Sequence, residues 1–256
     1  MLLRNVIEHV KSQNWAAILI DFAIVVIGVY LGLQVQEWGN SRADRVREIQ
    51  IVADMLGDLE LDRNEYANGI SSARRRISAG NAALVGAGLP ALDFDWQSTK
   101  RVLVPYSFDQ DLIEEVPADR QDRLWTDLIL GSFPYPSTAT FDAIVGAGEA
   151  RVIRDRDLVR AIQTYYASVD NVRRQNEKFI AIRADMLSIG VSHGLAPYAT
   201  MPAEDFFQLV KNEPEVAAAI RTQATMAIFH HGDIAGADAR ATELQNRLGA
   251  YLERVR

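Results

Sequence analysis

Residues 15–38 read WAAILIDFAIVVIGVYLGLQVQEW, and this stretch decides how the rest of the chain is organised. Its central part, 16–35, holds 20 residues, enough at about 1.5 Å per residue to cover the ~30 Å hydrocarbon core of a bilayer. Twelve of them are Ile, Leu, Val or Phe, supplying roughly −4 to −7 kcal/mol of insertion free energy. Asp21 is the only charged residue; it costs at most about 3.5 kcal/mol, and less near the edge of the span, where it lies. Insertion wins. Trp15 and Trp38 flank the span as interfacial anchors do. A cleaved signal peptide would have a shorter apolar core and a small-residue cleavage site, which Gln34-Val35-Gln36-Glu37-Trp38 does not offer. A buried core helix rarely stays apolar all round for so long. The expectation is an uncleaved membrane anchor over 15–38, with the lipid bilayer as its first partner.

One face of that helix stands out. Asp21, Val25, Gly28, Gly32 and Val35 recur at spacings of four and three and share a stripe. Gly28 and Gly32 form a GxxxG pair that lets a second helix approach closely. An acidic group on the same stripe prefers a polar partner to lipid. This predicts association through the anchor, as a homo-oligomer or with another membrane protein. The plainer alternative is that the glycines are ordinary and Asp21 reaches the headgroups.

Outward from the span, residues 1–14 read as a short amphipathic helix lying in the interface, with Leu2, Leu3, Val6, Ile7 and Val10 on one side. Arg4 and Lys11 before the span are matched by Arg42, Arg45 and Arg47 after it, so the positive-inside count does not fix orientation. The usual signal-anchor arrangement places the large domain, 39–256, on the exported side. The net charge of −7 has both signs interspersed and no basic footprint, so nucleic acid is not an expected partner. With no cysteine, disulfides, thiolate metal sites and a cysteine nucleophile are excluded.

The remainder predicts an all-α fold: the N-terminal transmembrane helix followed by an elongated bundle of three long helices with short connecting helices. Val46, Ile49, Val52, Leu56, Leu59, Tyr66, Ile70, Ala73, Ile77 and Leu84 follow a bundle seam, with Arg63 and Gly80 as exceptions. Ser41 is a candidate cap for this helix. Gly39 and Asn40 either hinge it from the anchor or lie in a nearly continuous helix. Gly86, Gly88 and Pro90 stop it. Five prolines break up 87–137, leaving room for short helices around 96–103 and 120–130. A further short helix covers 141–145. Asp155 caps a second long helix to about His193, with Gly194 and Pro197 past its end. A short helix over 203–211 and a last long helix over 214–255 complete the chain.

Two segments carry a resemblance. The run from Asp21 to Val35 with Trp38 and Arg42-Ala43-Asp44-Arg45 is one. Thr140-Phe141-Asp142-Ala143-Ile144-Val145 with Gly148, Val152-Ile153, Asp155, Leu158 and Tyr165-Tyr166 is the other. Together they resemble an uncharacterised family of bacterial membrane proteins, known as a domain of unknown function, in which an anchor precedes a helical domain. The resemblance implies a Gram-negative inner-membrane setting and brings no catalytic residue with it.

Few residues suggest chemistry. His230, His231 and Asp233, with His193 approaching from another helix end, are the best metal candidates. Adjacent histidines point about 100° apart on a helix and no HExxH supports them, so they read as ordinary surface or seam histidines. No GxSxG, GxxxxGK[ST] or GxGxxG occurs in a supporting context. Arg74-Arg75-Arg76 and Arg173-Arg174 read as solvated helix faces, with lipid headgroups or an acidic partner as the alternative. Tyr165, Tyr166 and Trp125 read as core rather than ligand pocket. No cofactor and no enzymatic activity are expected. The leading expectation is an accessory or scaffold subunit of a membrane assembly; the alternative is a ligand-sensing bundle that signals through a partner.

Overall fold

The computed structural model describes residues 15–92 and 112–255, with side chains from Leu19 onward. The expected interfacial helix over 1–14, the short helix around 96–103 and the Trp15 side chain lie outside them. The fold is all-α. Among the described residues, six α-helices run in the order α1 (Trp15–Gly86), α2 (Leu124–Ile129), α3 (Ala139–Gly146), α4 (Arg156–Ser192), α5 (Ala203–Asn212) and α6 (Pro214–Val255), with 3-10 turns at Ala118–Arg123 and Glu149–Val152. No strand occurs among the described residues. The chain divides into two compact units, Met1–Gln50 and Ile51–Arg256.

Helix α1 is continuous for 72 residues. Ser41 is therefore no cap, and Gly39 and Asn40 are no hinge. Each is a weak helix former, but glycine costs a helix only about 1 kcal/mol and asparagine less, too little to interrupt one already propagating on both sides. The helix ends where the glycines fall. Leu89 N–H donates to Leu84 C=O and Gly88 N–H to Val85 C=O, with Gly88 at φ +72°. This is the Schellman arrangement, in which a glycine in the left-handed region turns the last orphan carbonyls inward. The same pair of bonds closes α4: Leu195 to Gly190 and Gly194 to Val191, with Gly194 at φ +80°. At the other end of α4, Asp155 caps as expected, its carboxylate accepting from Asp157 N–H and Leu158 N–H.

In the larger unit, contacts fix the directions of the three long helices. Along α1, Arg63, Gly69, Arg76 and Gly80 meet Gln245, Ile234, His230 and Ala224 of α6 in descending order, so the two run antiparallel. Tyr66 and Arg76 of α1 meet Tyr165 and Phe179 of α4 in ascending order, so these run parallel. Helix α4 lies antiparallel to α6, as the bonds Asn171 to Asp233 and Asn176 to His230 require. Gly80 permits the close crossing of α1 and α6: a Cβ there would stand 2.5 Å from that of Ala224. Ile77, Ala83, Leu84, Leu128, Phe179, Phe206, Ile220 and Ala227 form the core around this crossing.

Most seam positions hold. Val52, Leu59, Tyr66, Ala73, Ile77 and Leu84 are buried, as are Leu158, Ile162, Val169 and Met186 on α4 and Val216, Ile220, Ile234 and Leu248 on α6. Val46 is a correction: it is 62% exposed. Met55 takes the core place next to Leu56, which is half-buried, as are Ile182, Ile189 and Val255. Gly232 and Gly236 do not interrupt α6.

Candidate functional sites: an exposed stripe and a buried polar seam

The stripe on α1 is uncovered. Val25 and Val35 are exposed, and so are Asp21, Gly28 and Gly32. Nothing stands within 4 Å of where a Cβ on Gly28 or Gly32 would be. The surrounding apolar residues share this exposure; Phe22, for example, is 67% exposed. This part of α1 is long and apolar enough to cross a membrane, and none of its apolar window is buried. A core helix of a soluble bundle would have that window mostly covered. One turn beyond the span, the Arg42 guanidinium lies 5.9 Å from the centre of the Trp38 ring, within cation–π reach.

Inside the bundle lies a polar seam that the periodicity does not reveal. Its centre is Arg76, which is 0% exposed. This corrects the reading of Arg74-Arg75-Arg76 as a solvated face: Arg75 is exposed, Arg74 half-buried, and Arg76 turned fully inward. Position 76 lies on the seam face of α1 beside Ala73, Ile77 and Gly80, but an arginine there breaks the apolar pattern by which a seam is read. The Arg76 guanidinium stacks 4.5 Å from the Phe179 ring centre and 5.1 Å from that of Phe133. Its Nε donates to Ser72 C=O at 3.4 Å. Arg183 lies over the same Phe133 ring at 5.0 Å.

Hydrogen bonding fixes the tautomer of His230. Asn176 Nδ2 donates to Pro134 C=O at 2.7 Å, which turns Asn176 Oδ1 toward His230 Nε2, also at 2.7 Å. Nε2 is then the protonated nitrogen, and Nδ1 accepts from Arg76 Nη2 at 3.1 Å. Burial, with the Arg76 charge beside it, pulls the imidazole down to about 3, so it is neutral at physiological pH. Burial likewise pulls Arg76 down to about 9, assisted by Arg183 and Arg75. Both His230 nitrogens are engaged. Asp233, buried one turn on, accepts from Asn171 Nδ2 at 3.1 Å. His231 is half-buried and His193 caps α4. Among the described residues, no three such side chains stand together as a metal site.

A second cluster sits about three to four turns away along α1. Tyr165 Oη donates to Asp62 Oδ2 at 2.5 Å, Ser137 N–H donates to Asp62 Oδ1 at 2.8 Å, and the Tyr66 and Tyr165 hydroxyls lie 3.3 Å apart. Asp62 is buried, and desolvation raises its pKa although Tyr165 and Ser137 oppose the shift. Burial also raises the tyrosine hydroxyls. Tyr166 stacks on Phe141 with ring centres 4.1 Å apart. Tyr165, Tyr166 and Trp125 are buried, as core residues are.

The two clusters share a task. Residues 131–137 form a strap of irregular backbone, and polar side chains from two long helices hold it. Ser72 Oγ accepts from Ser132 N–H, Arg173 Nη2 donates to Pro136 C=O at 2.6 Å, and Asn176 and Asp62 make the bonds above. Irregular backbone against a core needs such partners, because its own groups lack helical ones. Arg173 thus binds the strap, whereas Arg174 is exposed. Asp62, Arg76, Asn176 and Gln223 were missed as buried positions because polarity argues against burial unless a partner is visible, and the strap partners come from far along the chain.

On the surface, α4 and α6 border an open cleft of about 380 Å³ lined by Arg160, Thr164, Tyr165, Arg240, Glu243 and Arg247, among others. No protein-family model, curated protein or solved structure matches this chain.

Proposed function

We propose that this protein is a membrane-anchored helical interaction protein, an accessory or self-associating subunit whose contacts run through Asp21, Val25, Gly28, Gly32 and Val35. The observation that carries the reading is the uncovered apolar surface of α1 around two glycines with open space before them. In lipid, dispersion packing against small residues drives helix pairing, and an acidic side chain at the contact gains from a polar partner. A bacterial inner membrane with the bundle on the periplasmic side is part of the proposal, resting on the resemblance and the signal-anchor arrangement.

The test is extraction in mild detergent followed by mass measurement of wild type, Gly28→Ile and Asp21→Leu. The reading expects a complex in the wild type that both substitutions dissociate. Three monomers of equal mass with nothing co-purifying would remove it. The cleft between α4 and α6 favours a second reading, a ligand-sensing bundle acting through a partner protein. A small molecule retained with the purified chain and lost on Arg240→Ala would favour that one.

A further inference from the structure

The cleft between α4 and α6 holds about 380 Å³, within the range of small-molecule sites. Its register follows from the seam below it. Asn171 meets Asp233, so two turns further along this antiparallel pair Thr164 comes level with Arg240, and Arg160 with Leu244 one turn beyond. Buried Leu244 and Tyr165 form the floor, and the Tyr165 hydroxyl is committed to Asp62. Three arginines line the walls against two carboxylates. The charges are unevenly shared. Arg160 pairs with Asp157 at 3.2 Å, and Arg247 with Glu243 at 2.6 Å. Arg240 makes no ion pair among the described residues. Its hydrogen bond there runs from Nη1 to Gly236 C=O of its own helix at 3.1 Å. Glu243 stands one turn from Arg240 as well, but its Oε1 is turned to Arg247. The Nε–Nη2 edge of Arg240 thus keeps two parallel donors uncommitted among the described residues.

We propose that this cleft binds a small organic monocarboxylate, held through its two oxygens on the Nε–Nη2 edge of Arg240, with its carbon body over Leu244. The inference rests on the sensing reading of the cleft and gives its ligand a chemical class. The lining carries one positive charge in excess, which a monoanion balances. A planar carboxylate matches two parallel N–H donors. A phosphate monoester, at a charge of about −1.5 to −2, would press excess negative charge against Glu243 and Asp157. These two carboxylates therefore select against more highly charged anions. Arg240 is exposed, so solvent screens the contact and the affinity is modest. The site is distinct from the α1 stripe and does not depend on the membrane reading.

The probe is sodium butanoate, with butanamide and inorganic phosphate beside it. Thermal unfolding of the full chain in mild detergent is followed at constant ionic strength. A tenfold excess of butanoate over Kd raises the folded-to-unfolded ratio about elevenfold, a midpoint shift of roughly 3–6 °C. The shift saturates, whereas a general salt effect continues to grow. Arg240→Gln weakens butanoate binding about tenfold or more and leaves the unliganded midpoint in place, because the side chain is exposed. Arg174→Gln, an exposed arginine of α4 outside the cleft, keeps the response. Glu243→Gln removes a repelling charge and strengthens binding about two- to fivefold. No saturable shift with butanoate, an equal shift with butanamide, a larger one with phosphate, an unchanged response in Arg240→Gln, or weaker binding in Glu243→Gln overturns the proposal. A retained molecule that is lost on Arg240→Ala but carries no carboxylate overturns this class and leaves the sensing reading standing. Butanoate bound through Arg240 without any change in the extracted complex upholds the class and counts against sensing.

Discussion

Phe22, Ile24 and Leu31 stand uncovered on α1, whereas Asp62, Arg76 and His230 are sealed inside the bundle. The first unit exposes what water rejects; the second hides what water would solvate. The same rule of transfer governs both, applied to different surroundings. Exposed apolar area of this extent is unfavourable at about 25 cal/mol per Å² in water and favourable in lipid. Buried polar groups cost little once each has a partner. The contrast teaches that the apolar surface near the N-terminus has no cover among the described residues, and that polar burial in the bundle goes with a segment held in place.

The contrast can be broken most forcefully at Phe179. Phe179→Ala removes a ring from the core and from the face of Arg76, and should destabilise the bundle by about 4 kcal/mol in urea unfolding. Gly190→Ala comes next. A Cβ there collides with the Trp125 ring, whose Nε1 donates to Ala196 C=O at 3.1 Å. A loss of about 2 kcal/mol is expected from overpacking, with a change in tryptophan fluorescence as the check.

Acid sharpens the same comparison. His230 is neutral in the fold down to about 3, while its ordinary value is 6.5. Between those values the unfolded chain binds a proton that the folded chain does not, so stability falls as pH drops through this window. The slope approaches about 1.4 kcal/mol per pH unit. Asp62, raised above its ordinary 3.8, acts in the opposite sense, since its folded form keeps a proton longer as pH rises. His230→Asn should flatten the acid limb of a stability–pH profile measured by denaturant midpoint. The smallest effect belongs to the other unit. Gly28→Ile should leave bundle unfolding unchanged within about 0.5 kcal/mol, because nothing stands near that position; a larger change would show that the stripe contributes to the bundle.

Much of the architecture was legible because its signals are local. Asp155 caps, Gly88 and Gly194 terminate, and the apolar rows of α4 and α6 follow from helical spacing alone. Of the two alternatives at Gly39 and Asn40, the continuous helix holds and the hinge does not, because propensity is a weak prior inside a long helix. The polar seam was illegible for a different reason. Arg76 meets Phe133, Phe179 and His230, 57 to 154 positions away, and such pairings leave no periodic trace. The stripe on α1 was visible in sequence because it needs only one helix to define it.

The strap over 131–137 has a kinetic consequence. Though it belongs to no regular element, its Ser132 and Ser137 amides donate to side chains seated on α1. They will exchange hydrogen for deuterium on the timescale of global opening, alongside the helices and far more slowly than ordinary surface turns. A protease that cuts flexible loops will pass this one by until the whole domain lets go.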